Sequence, residues 1–219
     1  DYAATAERSD YQTFEWVRDV REYSGTGTRA LVRNHITGWM AQNQTWSADR
    51  WRPDIIGRRL PALLFCYGWF GVSADETFQI AFATSLALQT RCLALDWQRM
   101  PAGLTQLRAL RGLVVAQAIL YKSERDVTAL CNLIAPKIKF QIYQDGGHKS
   151  RQPEQHLEIM RIILECRMAL SHVGQTEFPV FDELVLRMAA MVKIWLHGNG
   201  QFAQFNLAGT STTNDIKQV

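Results

Sequence analysis

The chemically most versatile side chains of this chain lie close together between residues 144 and 156. This segment holds an aspartate, two histidines, a lysine and an arginine: Asp145, His148, Lys149, Arg151 and His156. It runs directly into a predicted helix start, because Pro153 suits a first helical position and Glu154 suits the positive end of a helix dipole. A helix N-terminus offers free backbone N–H groups that bind anions. The segment therefore predicts an anion-binding loop or, as the simpler alternative, a helix-entry turn with one satisfied, half-buried histidine.

The second histidine of this segment shares a helical face with apolar residues. His156 is followed at steps of three, four and seven by Ile159, Met160 and Ile163. This spacing places the four side chains on one stripe of a helix. We therefore expect the His156 ring to face the core or a cavity rather than open water.

Most sequence signatures of catalysis are missing. The chain has no GxSxG elbow, no HExxH zinc motif, no phosphate-binding loop and no dinucleotide fingerprint. The methionines and seven tryptophans recur at helical spacing, which is more typical of a helical core than of a cofactor site. We expect no cofactor and no metal.

Composition indicates one globular domain. The 219 residues are 47% hydrophobic and 21% charged, with a formal net charge of +3. These values exclude disordered and collagen-like chains, and the weak positive excess does not suggest a nucleic-acid partner. The sequence has no linker-like stretch. We expect a helical domain over residues 1–209 and a truncated linker or tail over 210–219.

Neither a membrane span nor a disulfide framework is expected. The longest apolar run, residues 60–72, is shorter than the ~20 residues that a bilayer requires. Residues 1–5 show no signal-peptide pattern. The four cysteines lie far apart in apolar stretches, so we expect buried thiols, with disulfides as the alternative.

Helical periodicity predicts an all-α fold of about eight helices of 12 to 20 residues. The clearest stripe comprises Phe181, Leu184, Val185, Met188, Met191, Val192 and Trp195. Ser73 with Glu76 resembles a capping box, and Ser123 suits another helix start. Short connections imply antiparallel helical hairpins. This pattern fits a compact bundle and a curved toroid equally well.

The segment from Asp145 to His156 resembles a motif of the bacterial heparinase II/III-type polysaccharide lyases. That family carries Asp-Gly-Gly-His-x-Glu-Arg-Ser-Pro-x-Tyr-His in its helical domain, and this chain reads Asp-Gly-Gly-His-Lys-Ser-Arg-Gln-Pro-Glu-Gln-His. Weaker similarities occur in the same order along the chain, at residues 51–60, 110–116 and 197–206. The resemblance spans roughly residues 35 to 206.

The resemblance implies an incomplete (α/α) toroid, which in the family precedes a β-sandwich domain. It also implies β-elimination at a uronic acid, for which the family uses an Asn-His pair, a Tyr-His pair and a histidine from the β domain. By this resemblance His156 and His148 would be catalytic. Arg59, Arg151, Gln155 and Asp145 would bind substrate. The implied partners are an acidic polysaccharide or oligosaccharide and a β domain beyond Val219, and the implied location is periplasmic or secreted, with the cytoplasm as the alternative.

The chain departs from the family at the positions that transfer protons. Gln155 stands where the family has tyrosine, and a carboxamide neither donates nor accepts a proton near neutral pH. Leu104 and Thr105 stand where the Asn-His pair is expected. We therefore retain three hypotheses: the helical domain of a polysaccharide lyase, a non-catalytic domain that binds acidic glycans, and a helical scaffold that contacts only proteins.

Overall fold

The computed structural model describes residues 10–23, 25–198 and 202–203. Its helices, numbered in chain order, are α1 (Trp16–Glu22), α2 (Thr26–Gln42), α3 (Pro53–Phe70), α4 (Glu76–Asp96), α5 (Leu104–Ala116), α6 (Glu124–Gln141), α7 (Pro153–His172) and α8 (Pro179–Trp195). A 3-10 turn follows α4 at Trp97–Arg99, and a π-helical turn follows α5 at Gln117–Tyr121. Within these residues no strand forms, which confirms the all-α prediction. The predicted boundary between residues 209 and 210 lies outside the described residues.

Helix starts follow the local sequence in two of three predicted cases. Ser123 caps α6 by accepting a hydrogen bond from the Asp126 amide, and Pro153 opens α7. The predicted cap at Ser73 is wrong, because Asp75 caps α4 and accepts from the Phe78 amide at 2.8 Å. Aspartate is an equally good N-cap, so two adjacent candidates could not be separated by residue type.

The helices pack as two layers that alternate along the chain. The helices α1, α3, α5 and α7 contact one another in series and form what we call the odd layer. The even-numbered helices pack on it: α4 against α3 and α5, α6 against α5 and α7, and α8 against α7. This alternation is the arrangement of an α/α toroid, in which each hairpin adds one helix to each layer.

The closest approach between helices is that of α3 and α5. A Cβ atom on Gly57 would lie 2.2 Å from the Arg108 carbonyl oxygen, and one on Gly112 would lie 2.6 Å from Gly57 Cα. Only glycine permits this backbone distance. The contact fixes the centre of the odd layer.

Two large apolar clusters, and a small third one with Leu157, Met191, Trp195 and Phe202, form the core of the described residues. One large cluster contains Trp39, Trp51, Phe70, Phe78 and Phe82, and the other is built mainly from α5, α6, α7 and α8. Phe181, Leu184, Met188, Met191 and Trp195 of the predicted stripe are buried, whereas Val185 and Val192 are half-buried. Not every aromatic residue joins the core, since Trp46 is 65% exposed.

Two further predictions from the sequence concern the state of the four cysteines and a membrane-spanning helix. All four cysteines are free, and Cys92 is half-buried while the other three are buried. In the described part of the chain no helix has the length and apolar character to cross a membrane. Helix lengths range more widely than expected, from the 7 residues of α1 to the 21 of α4.

Candidate functional site

The segment after α6 folds back as a tight turn. Ile142 and His148 form an isolated antiparallel bridge, and the Tyr143 amide donates to the Gly147 carbonyl at 2.9 Å. Gly146 has a φ of 86°, and a Cβ atom there would lie 2.2 Å from the Arg187 carbonyl oxygen on α8. Gly146 is therefore required both by its backbone conformation and by its contact with α8.

Asp145 and Arg151 close this turn on its solvent side. The Asp145 carboxylate accepts from the Gly147 amide and from Arg151 Nη1, each at 2.8 Å. The Gly147 amide and then Arg151 lower the pKa of Asp145. The Arg151 guanidinium carbon lies 4.6 Å from the centre of the Tyr143 ring, and its side chain remains 39% exposed. Two predicted substrate-binding residues thus lie together at the surface.

His148 is a fixed part of the turn. Its Nδ1 accepts from the Ser150 amide at 3.2 Å and lies 2.7 Å from Ser150 Oγ, which assigns the ring proton to Nε2. Nε2 then donates to Gln141 Oε1 at 3.2 Å. The residue is 5% exposed, and burial lowers its pKa. The imidazole is neutral and oriented by three contacts.

His156 is fully buried between α7 and α8, which confirms the predicted direction of its ring. Its Nε2 donates to the Met188 carbonyl oxygen at 3.0 Å, and the ring meets Trp195 edge to face at 4.8 Å. Nδ1 has no hydrogen-bond partner. Burial lowers the pKa of His156 to about 4, with Met188 opposing that shift. Proton transfer by His148 and His156 stays a prediction, and it requires access that these positions do not provide.

Gln155 and Arg59 are engaged by other residues. Gln155 Nε2 donates to Gln152 Oε1 one turn earlier. Arg59 lies apart from the turn, in the apolar cluster around Trp39, and is fully buried. Its guanidinium donates to the Gln12 and Arg50 carbonyl oxygens at 2.6 Å and to Gln89 Oε1 at 3.1 Å, and it lies over the Trp39 ring.

This position gives Arg59 a role in holding the N-terminal segment against α3. Burial lowers the pKa of Arg59 to about 9, with no carboxylate to oppose it. A contact between Arg59 and a substrate would require that this part of the core open. The predicted substrate-binding role of Arg59 therefore stays a prediction that its surroundings do not favour.

Sequence reasoning missed a surface of alternating cations and aromatic rings beside the turn. Lys149 Nζ lies 3.6 Å from the centre of the Phe140 ring, next to the pair of Arg151 and Tyr143. We call these four residues the cationic ledge. Phe140 is 74% and Tyr143 43% exposed. Interpreting residues 140–151 as a hairpin would have found this surface, because the turn brings residues that are eight or nine positions apart face to face.

A groove borders the cationic ledge. It has a volume of about 540 Å³ and is lined by Ala102, Gly103, Gln106, Pro136, Lys137, Phe140 and Gln141. Phe140 is shared with the ledge, and Gln141 holds His148. The groove therefore lies between the loop before α5, near the positions where the family resemblance placed an Asn-His pair, and the end of α6.

The described residues contain no group of three or more His, Cys, Asp or Glu side chains that could hold a metal ion. The ledge instead offers guanidinium and ammonium groups beside exposed ring faces. Such a surface can bind a carboxylate or sulfate group by charge-assisted hydrogen bonds and can pack the C–H face of a sugar on a ring.

Comparison with known proteins identifies the fold. The chain is similar to the heparan sulfate lyase HepC from Pedobacter heparinus, with a TM-score of 0.66 and 20% sequence identity over 94% of this chain and 35% of that one. The chain therefore shares the fold of the matched part of that protein. The all-α, toroid-like architecture predicted from sequence is thereby confirmed.

The chain is also similar in sequence to a protein that is named for its localization and not as a lyase. The chain is 24% identical over 193 residues to FtsZ-localized protein C of Caulobacter vibrioides, which covers 88% of this chain and 33% of that protein. No family model matches. The chain spans about a third of the length of each of these two proteins.

Proposed function

We propose that this chain is a glycan-recognition domain that binds acidic, uronate-containing oligosaccharides at the cationic ledge, and that it does not itself carry the acid and base of a lyase reaction. The observation that supports this proposal most directly is the pairing of both aromatic rings of the ledge with a cation, Lys149 with Phe140 and Arg151 with Tyr143. A uronate presents a carboxylate and an apolar C–H face on one ring, and the ledge presents cations and aromatic rings that complement these two groups in chemistry.

The arrangement of the turn supports recognition over a longer stretch of glycan. Asp145 holds Arg151 in place, and the buried His148 holds the end of α6 through Gln141. A prepositioned cation loses less conformational freedom on binding than a free one. The bordering groove, with Lys137 in its wall, extends the surface beyond one sugar ring.

A binding role without catalysis is supported by the state of the predicted proton-transfer positions. Both imidazoles are buried and neutral, and Gln155 carries an amide. The Thr105 hydroxyl donates to the Pro101 carbonyl oxygen at 3.1 Å, as part of the start of α5. The sequence relative, moreover, is named for its localization and not for a reaction. We propose a periplasmic or secreted location, because acidic glycans are found outside the cytoplasm.

Calorimetric titration of the whole chain tests this function. We expect binding of uronate oligosaccharides that weakens with salt, no binding of neutral oligosaccharides of equal length, and no rise in ultraviolet absorbance from an unsaturated product. The double variant Lys149→Gln, Arg151→Gln should lose at least about tenfold in affinity, which corresponds to one or two charge-assisted contacts.

The matched control is Arg99→Gln, Lys193→Gln, which removes the same charge from other surfaces. It should bind like the unchanged protein. Equal losses in both double variants would mean that net charge and not the ledge carries the binding. Failure of every acidic oligosaccharide to bind, or turnover by the chain alone, would contradict the proposal.

A further inference from the structure

A cluster of charged side chains lies between the helices of the odd layer, away from the cationic ledge. It is built from five arginines and three glutamates: Arg18, Arg58, Arg108, Arg111, Arg161, Glu15, Glu158 and Glu165. We call it the arginine cluster. Its members come from α1, α3, α5 and α7 and from the residue before α1, so it forms only when all four helices are packed. Asp10 also pairs with Arg58, at 2.7 Å, and the five arginines still outnumber the four carboxylates around them.

The glutamates of the cluster are already engaged. Arg108 donates twice to Glu158, at 2.6 and 2.5 Å, and Arg58 donates to Glu15. Burial raises the pKa of Glu15, but Arg58 and Arg111 outweigh it and bring the pKa to about 2. Glu15 is therefore ionised at neutral pH and is shared between two guanidinium groups.

Glu165 is also shared, and this leaves donors without acceptors. Arg18 donates to Glu165 Oε1 at 2.7 Å, while Arg111 Nε lies 3.4 Å from Oε2 without hydrogen-bond geometry. Arg111 is fully buried, and its one hydrogen bond is to the Gly57 carbonyl oxygen at 3.2 Å. Nε and Nη1 of Arg111 have no hydrogen-bond partner. Glu165 Oε2 is unpaired as well and faces Arg111 Nε, so the donors that still lack an acceptor are Nη1 of Arg111 and Nε of Arg18. A buried unpaired donor is costly, and these two groups point to a missing acceptor.

Arg161 has the least compensated charge of the cluster. It makes no hydrogen bond or ion pair with any residue that the structure describes, and its Nε is buried. Burial, and next the repulsion from Arg18, lower the pKa of Arg161, and the attraction to Glu15 and Glu165 only partly offsets this shift. The side chain is nevertheless half-buried and not sealed, as is that of Arg18. A solute can therefore reach this end of the cluster.

We propose that Arg18, Arg111 and Arg161 form a binding site for an oxyanion, either a free inorganic one or the sulfate or carboxylate group of a glycan. Three guanidinium groups supply N–H donors in the planar arrangement that matches oxyanion oxygens. Glu15 and Glu165 attract all three guanidinium groups and repel an anion, so the oxyanion binds on the Arg161 side, because Arg161 forms no salt bridge with either carboxylate. The site shares no residue with the cationic ledge, and it stands or falls independently of the function proposed there.

Thermal unfolding of the whole chain in sodium sulfate, compared with sodium chloride of equal ionic strength, tests the site. Sulfate also stabilises proteins through exclusion from their surface, an effect that grows steadily with concentration. A binding site adds a rise in Tm that saturates at low millimolar sulfate. We expect this saturable rise in the unchanged protein.

The decisive variant is Arg161→Met. It should lose the saturable rise yet be at least as stable as the unchanged protein in chloride, because it removes a repulsive charge without breaking a contact. Arg91→Met, which removes an exposed arginine from α4 in the even layer, should keep the rise. The double variant of the ledge should also keep it, and this separates failure of the site from failure of the proposed function.

Two results would overturn the site. One is an equal response of Arg161→Met and Arg91→Met to sulfate. The other is a lower Tm of Arg161→Met in chloride, because Arg161 would then have an acceptor within the chain. Competition between inorganic sulfate and a sulfated oligosaccharide would assign the site to a glycan group, and absence of competition would assign it to a free anion.

Discussion

The turn after α6 and the arginine cluster use the same types of charged groups in opposite ways. In the turn, Arg151 and Asp145 are six residues apart, exposed, and held by contacts within a short stretch of chain. In the cluster, Arg18 and Glu165 are 147 residues apart and meet only because the helices of the odd layer pack together. The turn leaves its cations exposed to solvent, whereas the cluster uses most of its charges to hold helices together.

This difference explains why a cluster of charged residues can form without a recognisable sequence motif. The turn has a recognisable sequence because its geometry is local. It depends on two adjacent glycines, the bridge between Ile142 and His148, and an ion pair between residues six positions apart. The cluster has no motif, because its members are single residues on four separate helices. Recognition of the first therefore says little about the second. The predictions below test whether the two regions differ in energy as they do in construction.

The largest effect is expected from breaking the cluster at Glu165. Glu165→Gln leaves Arg18 and Arg111 without their shared carboxylate, and removal of one partner from a buried ion pair costs about 3–5 kcal/mol. Urea unfolding at pH 7 measures the loss. Glu183→Gln removes the 57% exposed partner of Arg187 and should cost less than about 1 kcal/mol. A similarly small loss for both variants would remove the contrast between the two regions.

The second test concerns His156, which follows the turn in the sequence but is fully buried in the interior. Its pKa of about 4 lies below the ordinary 6.5, so the unfolded chain takes up a proton first as the pH falls. Stability should therefore be full above pH 6.5 and fall by up to about 3 kcal/mol between pH 6.5 and 4. His156→Phe should be less stable at pH 7 and should lack this part of the slope.

Urea unfolding at a series of pH values measures that slope. The control variant is His172→Gln, which changes an exposed histidine at the end of the same helix and should keep the slope of the unchanged protein. An unaltered slope in His156→Phe would show that other groups cause the loss at acid pH.

The third test asks whether the turn depends on its contact with α8 as well as on contacts within the turn. Gly146→Ala forces a side chain into a φ of 86° and against the Arg187 carbonyl oxygen, at a cost of about 1–3 kcal/mol. Gly38→Ala, in α2 with open space around it, should stabilise by up to about 1 kcal/mol. Thermal unfolding of both variants gives the comparison. If Gly146→Ala were harmless, the contact between the turn and α8 would be loose.

The smallest effect on stability is expected at the ion pair of the turn. Arg151→Gln should change the free energy of unfolding by less than about 1 kcal/mol, because both partners are exposed to solvent. Chemical unfolding measures this, and a double-mutant cycle with Asp145→Asn isolates the pair. A loss as large as that of Glu165→Gln would show that the turn, too, is built from structural charges.

The apolar periodicity of the sequence predicted the class of the fold, and the toroid arrangement was predicted only through the resemblance to the heparinase II/III-type lyases. Helical stripes such as Phe181 to Trp195 gave the helices, because a helix that buries one face must repeat its apolar residues every three to four positions. The same pattern left a bundle and a toroid equally open. The choice depends on contacts such as Gly57 with Gly112, which join helices that are about fifty residues apart.

For the candidate site, sequence predicted the position of the turn and the inward direction of His156. It did not predict that Arg59 is enclosed by Gln12, Arg50 and Gln89, or that Lys149 and Phe140 face each other. Residue type reveals which groups can bind an anion, but exposure depends on what packs on them. Such packing partners are distant in the chain and have no local signature.

The sequence by itself determined that this protein is helical, where two of its helices begin, and that a glycine-rich turn carries His148 together with Lys149 and Arg151. These properties depend on neighbours within one or two helical turns. Only the tertiary structure decided which cations are exposed and which are buried, because burial depends on helices that meet across the chain. The charge of Arg151 is exposed and that of Arg111 is buried for this reason, although both are arginines beside helical segments.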